Sequence, residues 1–387
     1  MKIALETQHA CRKKNAGVGK YTWNIIKNLL EMESPHEYEM HLFDFMFLEK
    51  SHRKLLDSFG TQKRVWKVCP FLHYGMIARY PGLYNFCSYN SLFHSHADVY
   101  HFFNFIIPKK IAGKTIATIH DSCFFRYPEM LSKTNYSIFK DNLLRSCRYT
   151  DLITTVSEYS KKEIVEFLQI PESKVCVIPA GVDRNIFYPK KDSHTKERIQ
   201  KKYKIPGDFV LYLGTLEPRK NIPFLLKCFH AVIQKEKNLF LVLAGQKGWQ
   251  YEKIEECLQH LGLQNRTIFP GYIQQEDIVS LYSSATIFLF PSLYEGFGIP
   301  PLEAMACGTP VIASNASSLP EILGDAAILV SPDNIQEMEF QIQRLLSDSS
   351  LRNQYSEKGL QQSKKFSWKE SAKKLLRTYE RILGLEI

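Results

Sequence analysis

The chain has 387 residues, 44% of them hydrophobic and 23% charged, with a net charge of +10. At roughly 150 residues per domain this is enough for two or three domains with proper cores, which excludes a disordered polymer and a single small module. There is no run of about 18 apolar residues, the basic residues of MKIALETQHACRKK follow its apolar ones, and the nine scattered cysteines show no Cys-x-x-Cys or paired Cys/His spacing, so a membrane-spanning helix, a secretory leader, a disulfide framework and a zinc site are not expected.

A reduced, cytoplasmic setting follows from that cysteine usage. Residues 1–189 carry +7 of the net charge. Such a half could meet an anionic membrane or substrate, although the charges form no polybasic tract and suit a solvated surface equally. No zinc-finger or ribonucleoprotein signature points to nucleic acid.

In chain order, KIALE opens as a strand. GKYTWNIIKNLLEM then places Ile25, Ile26, Leu29 and Leu30 at helical spacing. ADVYHFF, KTIATIH and DLITTVS are further strands, ending at Phe103, His120 and Ser157. SEYSKKEIVEFL is a helix with Ser157 as its N-cap. KVCVIPAGVD is a strand and loop. NIFYPKKDSHTKERIQKKYKIPGD, charged and poor in apolar periodicity, marks a domain boundary near Pro189. The pattern then restarts. DFVLYLGTL is a strand, and NIPFLLKCFHAVIQKE a helix with Asn221 as N-cap. LFLVLAG, RTIFPGY, ATIFLFPS and PVIAS are strands. FSWKESAKKLLRTYERIL closes the chain as an amphipathic helix with Trp368, Ala372, Leu375, Leu376 and Tyr379 in one stripe. Strands alternating with helices predict α/β architecture: two doubly wound, Rossmann-like parallel sheets. Ligands of such sheets bind beyond the strands' carboxyl ends, here in a cleft between the two domains.

Four segments carry chemistry. In SLYEGFGIPPLEAMACGTPVIAS, Glu295 follows a strand and Glu303 falls in the first turn of a helix opened by Pro300 and Pro301. Gly296 and Gly298 leave their amides open beside a helix N-terminus, which together suit a diphosphate. Glu295 could hold sugar hydroxyls and Glu303 a ribose diol. Glu303 taken alone would only complement the helix macrodipole. In GTLEPRKN, Gly214 ends a strand, and Arg219 and Lys220 could neutralise a departing diphosphate or simply form an exposed basic turn. In NAGVGKYT, Gly17, Gly19 and Lys20 form a loop that is neither a Walker motif nor a full dinucleotide fingerprint; a plain strand-to-helix turn competes. In TIHDSCFFRYPE, His120 could touch a sugar hydroxyl or serve as a core histidine. No nucleophile elbow is present, nor an Asp-x-Asp pair to chelate a metal.

These segments resemble the retaining glycosyltransferases of family 4, with the GT-B fold, over nearly the whole chain. FPGYIQQEDIVSLYSSATIFLFPSLYEGFGIPPLEAMACGTPVIASNASSLPEILGDAAILVSPDN carries the family's Glu-x7-Glu element as Glu295 and Glu303. GTLEPRKN, VIPAGVD, TVSEYSKKEI, TIHD and FSWKES are similar to family segments. The resemblance implies an acceptor-binding domain over 1–188, a donor-binding domain over 189–366, and a helix over 367–387 packing back on the first. It implies that Glu303 binds ribose and Glu295 the donor sugar, with backbone contacts from Phe297, Gly298 and Ile299. Gly214 lies at the donor, Arg219 and Lys220 grip the phosphates, Gly17 and Gly19 lie near the β-phosphate and acceptor, and His120 touches the sugar. Thr215 stands where many relatives have a basic residue, which shifts phosphate work toward Arg219.

The expected activity is metal-independent hexosyl transfer with retention, with no cofactor beyond the nucleotide-sugar co-substrate. GDP-mannose is the first donor and a glycan or lipid-linked intermediate of cell-surface polysaccharide, such as lipopolysaccharide, the acceptor. The enzyme would be cytoplasmic, with peripheral contact at the membrane's inner face. UDP- and dTDP-sugars, a nucleotide-sugar epimerase and a non-catalytic binding partner remain alternatives.

Overall fold

The computed structural model describes residues 1–11, 17–47, 64–79, 88–130, 133–190 and 192–385, without the side chains of 77–79, 133–135 and 137–141. Asn15 and Ala16 of the first glycine loop, and Leu131 and Ser132, lie outside the described residues. The chain divides into two compact units, Met1–Ala180 with Trp368–Ile387, and Gly181–Ser367.

The first unit is built on β1 (Lys2–Glu6), β2 (Glu37–Phe43), β3 (Arg64–Cys69), β4 (Val99–Phe102), β5 (Lys114–Thr118), β6 (Leu152–Thr155) and β7 (Val175–Val177). They form one sheet in the order β3-β2-β1-β4-β5-β6-β7, every pairing parallel. The strand order reverses at β1/β4, the kind of switch point where doubly wound sheets bind ligands. The helix Val18–Glu31 buries Ile25, Ile26 and Leu29 and leaves Leu30 half-buried. The N-cap expected at Ser157 is present: its Oγ accepts from the Ser160 amide at 3.1 Å.

The C-terminal helix Trp368–Ile382 belongs to this first unit. Trp368, Ala372, Leu375 and Tyr379 are buried and Leu376 half-buried, so the stripe read from spacing is the packed face. Each large side chain among them contributes about 1.5–3 kcal/mol of burial. Trp368 meets Tyr21 of the first helix edge-on at 5.7 Å. The Tyr379 hydroxyl bonds His101 Nδ1 at 2.6 Å, His101 Nε2 bonds Thr118 Oγ1 at 2.8 Å, and Thr118 bonds Thr154 Oγ1 at 2.8 Å. A buried polar chain thus ties the helix to β4, β5 and β6. Burial pushes the His101 pKa down to about 3, so the imidazole is neutral.

The second unit holds β8 (Phe209–Leu213), β9 (Phe240–Ala244), β10 (Thr267–Gly271), β11 (Ile287–Phe290), β12 (Val311–Ser314) and β13 (Ile328–Val330). Their order is β10-β9-β8-β11-β12-β13, again all parallel. The charged stretch after Pro189 forms a helix of this unit, Ser193–Tyr203, capped by Asp192. It escaped periodicity because Ile199 is its one fully buried side chain. Polar groups anchor it instead: Arg198, Lys202 and Tyr203 all bond the buried Asp277 carboxylate, at 2.7, 2.5 and 2.8 Å.

Candidate functional site

The site grows from two strand ends in the second unit. After β8 the chain passes Gly214, whose amide bonds the Ala244 carbonyl at 2.9 Å. A Cβ on Gly245 would stand 1.8 Å from the Gly214 carbonyl oxygen, so this close approach requires glycine. The Tyr212 hydroxyl holds the loop by donating to the Thr215 carbonyl at 3.1 Å. A 3-10 turn, Pro218–Lys220, then presents the two cations. Asn221 caps the next helix differently from the expectation. It takes a left-handed conformation, φ 57°, and its side chain donates to the Pro332 carbonyl at 2.8 Å, because the preceding turn leaves no extended backbone for an N-cap.

After β11 the segment from Ser292 to Gly298 is pinned on several sides. Leu293 N donates to the Arg219 carbonyl at 2.8 Å, Glu295 N to Ser317 Oγ at 2.8 Å, and Ser318 Oγ to the Glu295 carbonyl at 3.0 Å. Ser317 itself has a positive φ of 51°. Non-glycine residues avoid that region, and such strain concentrates at functional sites. Buried Phe297 packs edge-on against Phe366 at 5.5 Å. Gly298, φ +100°, caps the helix Ile299–Ala306, whose second and third residues are Pro300 and Pro301.

Glu303 is therefore the fifth helical residue, one residue deeper than the spacing predicts and just past the first turn. It is buried, and Tyr282 Oη donates to its Oε2 at 3.4 Å. A carboxylate turned into the unit against a buried phenol is doing something other than complementing the macrodipole from the surface.

Glu295 is also buried, at 7% exposure, between both cations. Lys220 Nζ lies 2.5 Å from Oε1 and Arg219 Nη1 3.1 Å from Oε2. Burial works to raise the Glu295 pKa, but Lys220 and Arg219 outweigh it and hold the carboxyl below its ordinary value. Burial lowers the Lys220 pKa, with Arg219 adding to the effect. Arg219 Nη1 also donates to the Tyr294 carbonyl at 3.1 Å, and its Nε and Nη2 to Glu217 Oε1 at 3.3 and 3.1 Å.

The second unit thus assembles Gly214, Arg219, Lys220, Glu295, Phe297, Gly298, Ile299 and Glu303. Gly17, Gly19 and His120 belong to the first unit. Gly17, φ +50°, precedes the first helix, and Gly19 is buried in its opening turn. Tyr21 links them to His120, with ring centroids 5.0 Å apart. His120 Nε2 donates to the Phe103 carbonyl at 3.2 Å, which leaves Nδ1 as an acceptor. Burial lowers the His120 pKa to about 4, so it is a neutral hydrogen-bonding group. Sequence reasoning missed Glu217, Tyr282, Ser317 and Ser318. Glu217 stood inside GTLEPRKN and was legible as a carboxylate two residues from Arg219; the other three reach the site only through the fold.

Comparisons with known proteins agree with this architecture. Residues 16–185 match Glycosyltransferase Family 4, and residues 194–362 match Glycosyl transferases group 1. O-antigen chain mannosyltransferase B of Escherichia coli is 32% identical over 283 residues, 73% of this chain and 74% of that protein. A serotype-specific mannosyltransferase WbdA of the same organism is 30% identical over 299 residues, 76% of this chain but 36% of that longer protein. The structure of Alr3699/HepE of Anabaena, solved in complex with UDP and glucose, matches with a TM-score of 0.76 at 18% identity, covering 98% of this chain and 100% of that one. Two Rossmann-like parallel sheets, matches along most of the chain and a relative at 32% identity lead to one conclusion: the chain is a glycosyltransferase with the GT-B fold, a member of family 4.

Proposed function

We propose that this glycosyltransferase moves mannose from GDP-mannose to a glycan or lipid-linked acceptor in cell-surface polysaccharide synthesis, with retention of configuration and without a metal ion. The observation that carries the reading is the convergence of Lys220, Arg219 and Glu295 beside the helix that opens at Gly298, with Glu303 in that helix. Mannose and a polysaccharide acceptor are suggested by the O-antigen and serotype-specific mannosyltransferases it is similar to. A nucleotide-sugar donor also agrees with the UDP and glucose bound by the Anabaena protein.

In this reading Glu303 takes the ribose diol and Glu295 the sugar hydroxyls. The amides of Phe297, Gly298 and Ile299 and the helix N-terminus meet the diphosphate, beside Gly214 and the Arg219–Lys220 pair. Gly17, Gly19 and His120 of the first unit are assigned to the β-phosphate, acceptor and sugar on the family resemblance alone, with neutral His120 a hydrogen-bond acceptor through Nδ1. The acceptor oxygen attacks from the face the diphosphate leaves. The acceptor's proton passes to the departing phosphate oxygen, while cationic side chains stabilise the charge a metal would otherwise carry. A cytoplasmic enzyme touching the inner membrane face fits the basic first half and exposed Phe45, Met46, Phe71 and Met76. No helix among the described residues is long and apolar enough to cross a membrane.

The test is transfer from GDP-mannose, UDP-glucose and dTDP-rhamnose to methyl α-mannoside and a synthetic polyprenyl-linked mannoside, with and without EDTA. The product's anomeric configuration is read by NMR. An α-mannosidic product, formed equally with EDTA, supports the reading. An inverted product, EDTA-sensitive transfer, or an epimerised free sugar with no acceptor product overturns it.

A further inference from the structure

Glu217 has no part in the mechanism above. We propose that Glu217 is a positioning residue: it holds Arg219 as a fixed clamp on the turn carrying Glu295, and leaves Lys220 as the cation that exchanges from Glu295 to the donor's diphosphate. This rests on the donor-site reading and revises one part of it: Arg219, placed beside the diphosphate above, stays on the protein, and the phosphate contact falls to Lys220.

Arg219 is held at both ends of its planar fork. Nε and Nη2 donate to Glu217 Oε1, while Nη1 donates to the Tyr294 carbonyl and to Glu295 Oε2. Its own carbonyl accepts from Leu293 N at 2.8 Å. A guanidinium bridging two loops in this way fixes their separation, and its rigid geometry is what an ammonium lacks. The backbone beside Glu217 is itself pinned: Gly248 N donates to the Leu216 carbonyl at 3.0 Å, and Gly248 passes so close that an added Cβ would sit 3.0 Å from the Glu217 Cβ. Drawing Arg219 onto a ligand would break the four bonds just named.

Lys220 is held differently. Its Nζ has one hydrogen-bond acceptor among the described residues, Glu295 Oε1, and otherwise lies 5.6 Å from the Phe290 ring centroid. An ammonium on a flexible stem leaves one carboxylate oxygen for a phosphate oxygen without losing an ion pair. The cluster's charges cancel, Glu217 and Glu295 against Arg219 and Lys220. A diphosphate therefore gains full cationic charge when Lys220 leaves Glu295, and the same movement frees Glu295 for the sugar.

Calorimetric titration of the full chain with GDP, UDP and dTDP tests this, together with diphosphate release from the matching nucleotide sugar in the presence of methyl α-mannoside. Lys220→Gln is expected to weaken binding of the preferred diphosphate at least tenfold. Glu217→Gln and Arg219→Lys are expected to bind it within threefold of wild type, yet to turn over at least thirtyfold more slowly. Arg219→Lys keeps the charge and removes the fork, so it decides alone should Glu217→Gln fail to fold. Binding lost in Arg219→Lys as severely as in Lys220→Gln makes Arg219 a phosphate ligand and overturns the proposal, as does wild-type turnover in Arg219→Lys. Wild-type protein that binds none of the three diphosphates removes the donor-site reading itself, and the proposal with it.

Discussion

Glu295 shows how a buried carboxylate stays ionised. Its desolvation is opposed by two cations within 3.1 Å, and the cations win. Removing the carboxylate leaves Lys220, at 8% exposure, with a buried and uncompensated charge. Breaking such a pair costs about 3–5 kcal/mol. Glu295→Gln is thus expected to lower thermal stability at pH 7 and to reduce transfer by about 10²-fold or more. The sign of the pH dependence follows from the lowered pKa. Stability from the ionised carboxylate is present above the ordinary carboxylate range and lost as pH falls through the lower folded value. Melting curves of wild type and Glu295→Gln should therefore converge on acidification; a gap that widens toward low pH contradicts the assignment. The motif was readable in sequence because Glu-x7-Glu is a contiguous pattern. The pincer was not, since Arg219 and Glu295 are 76 positions apart and meet through β8 and β11 pairing side by side.

At the scale of elements, the helix Ile299–Ala306 depends on how it starts. Gly298 has φ +100°, and a Cβ there would lie 2.7 Å from Leu319 Cδ2. Gly298→Ala is expected to cost about 1–3 kcal/mol in backbone strain and, by tilting the helix start, to weaken nucleoside diphosphate binding. Circular-dichroism melting and calorimetry measure the two effects. The helix Ser193–Tyr203 makes a second case. Burial opposes ionisation of Asp277, but Lys202, Arg198 and Tyr203 overcome it and hold the pKa at about 2. Asp277→Asn removes two ion pairs whose cations are already 43% and 44% exposed, so those cations return easily to water. The expected loss is accordingly about 1–2 kcal/mol, below that for a fully buried pair. It should be full above the ordinary aspartate pKa and vanish as pH falls toward 2, as melting of both proteins across that range would show. Strands and apolar-striped helices were legible in sequence because burial imposes periods of 2 and 3.6. This helix was not, because it is anchored by charge on one carboxylate.

At the scale of the whole molecule, each unit is a parallel sheet whose strand order reverses next to its first strand, and the last helix of the chain belongs to the first unit. The alternation of strands and helices in sequence was sufficient for the two doubly wound sheets; the place of the last helix came from the family resemblance alone. What neither could supply was the buried chain from Tyr379 through His101 to Thr154, which joins residues 278 and 17 positions apart. Tyr379→Phe leaves His101 Nδ1 without that partner and is expected to cost about 1–3 kcal/mol. His101 and His120 have folded pKa values near 3 and 4. The unfolded chain binds their protons first, so stability is full above about pH 6.5 and declines as pH falls toward 4. A melting temperature flat across that window would contradict the buried neutral assignment.

The central claim is that Lys220, Glu295, Gly298 and Glu303 form a nucleotide-sugar donor site within the second unit. Calorimetric titration of GDP, UDP and dTDP into the wild-type chain and into Glu303→Gln tests it most directly. The account expects one diphosphate, GDP first, to bind with micromolar affinity and to lose about tenfold or more in Glu303→Gln, through the ribose contact. Equal affinity in the two proteins, or binding of none of the three by wild type, would contradict it.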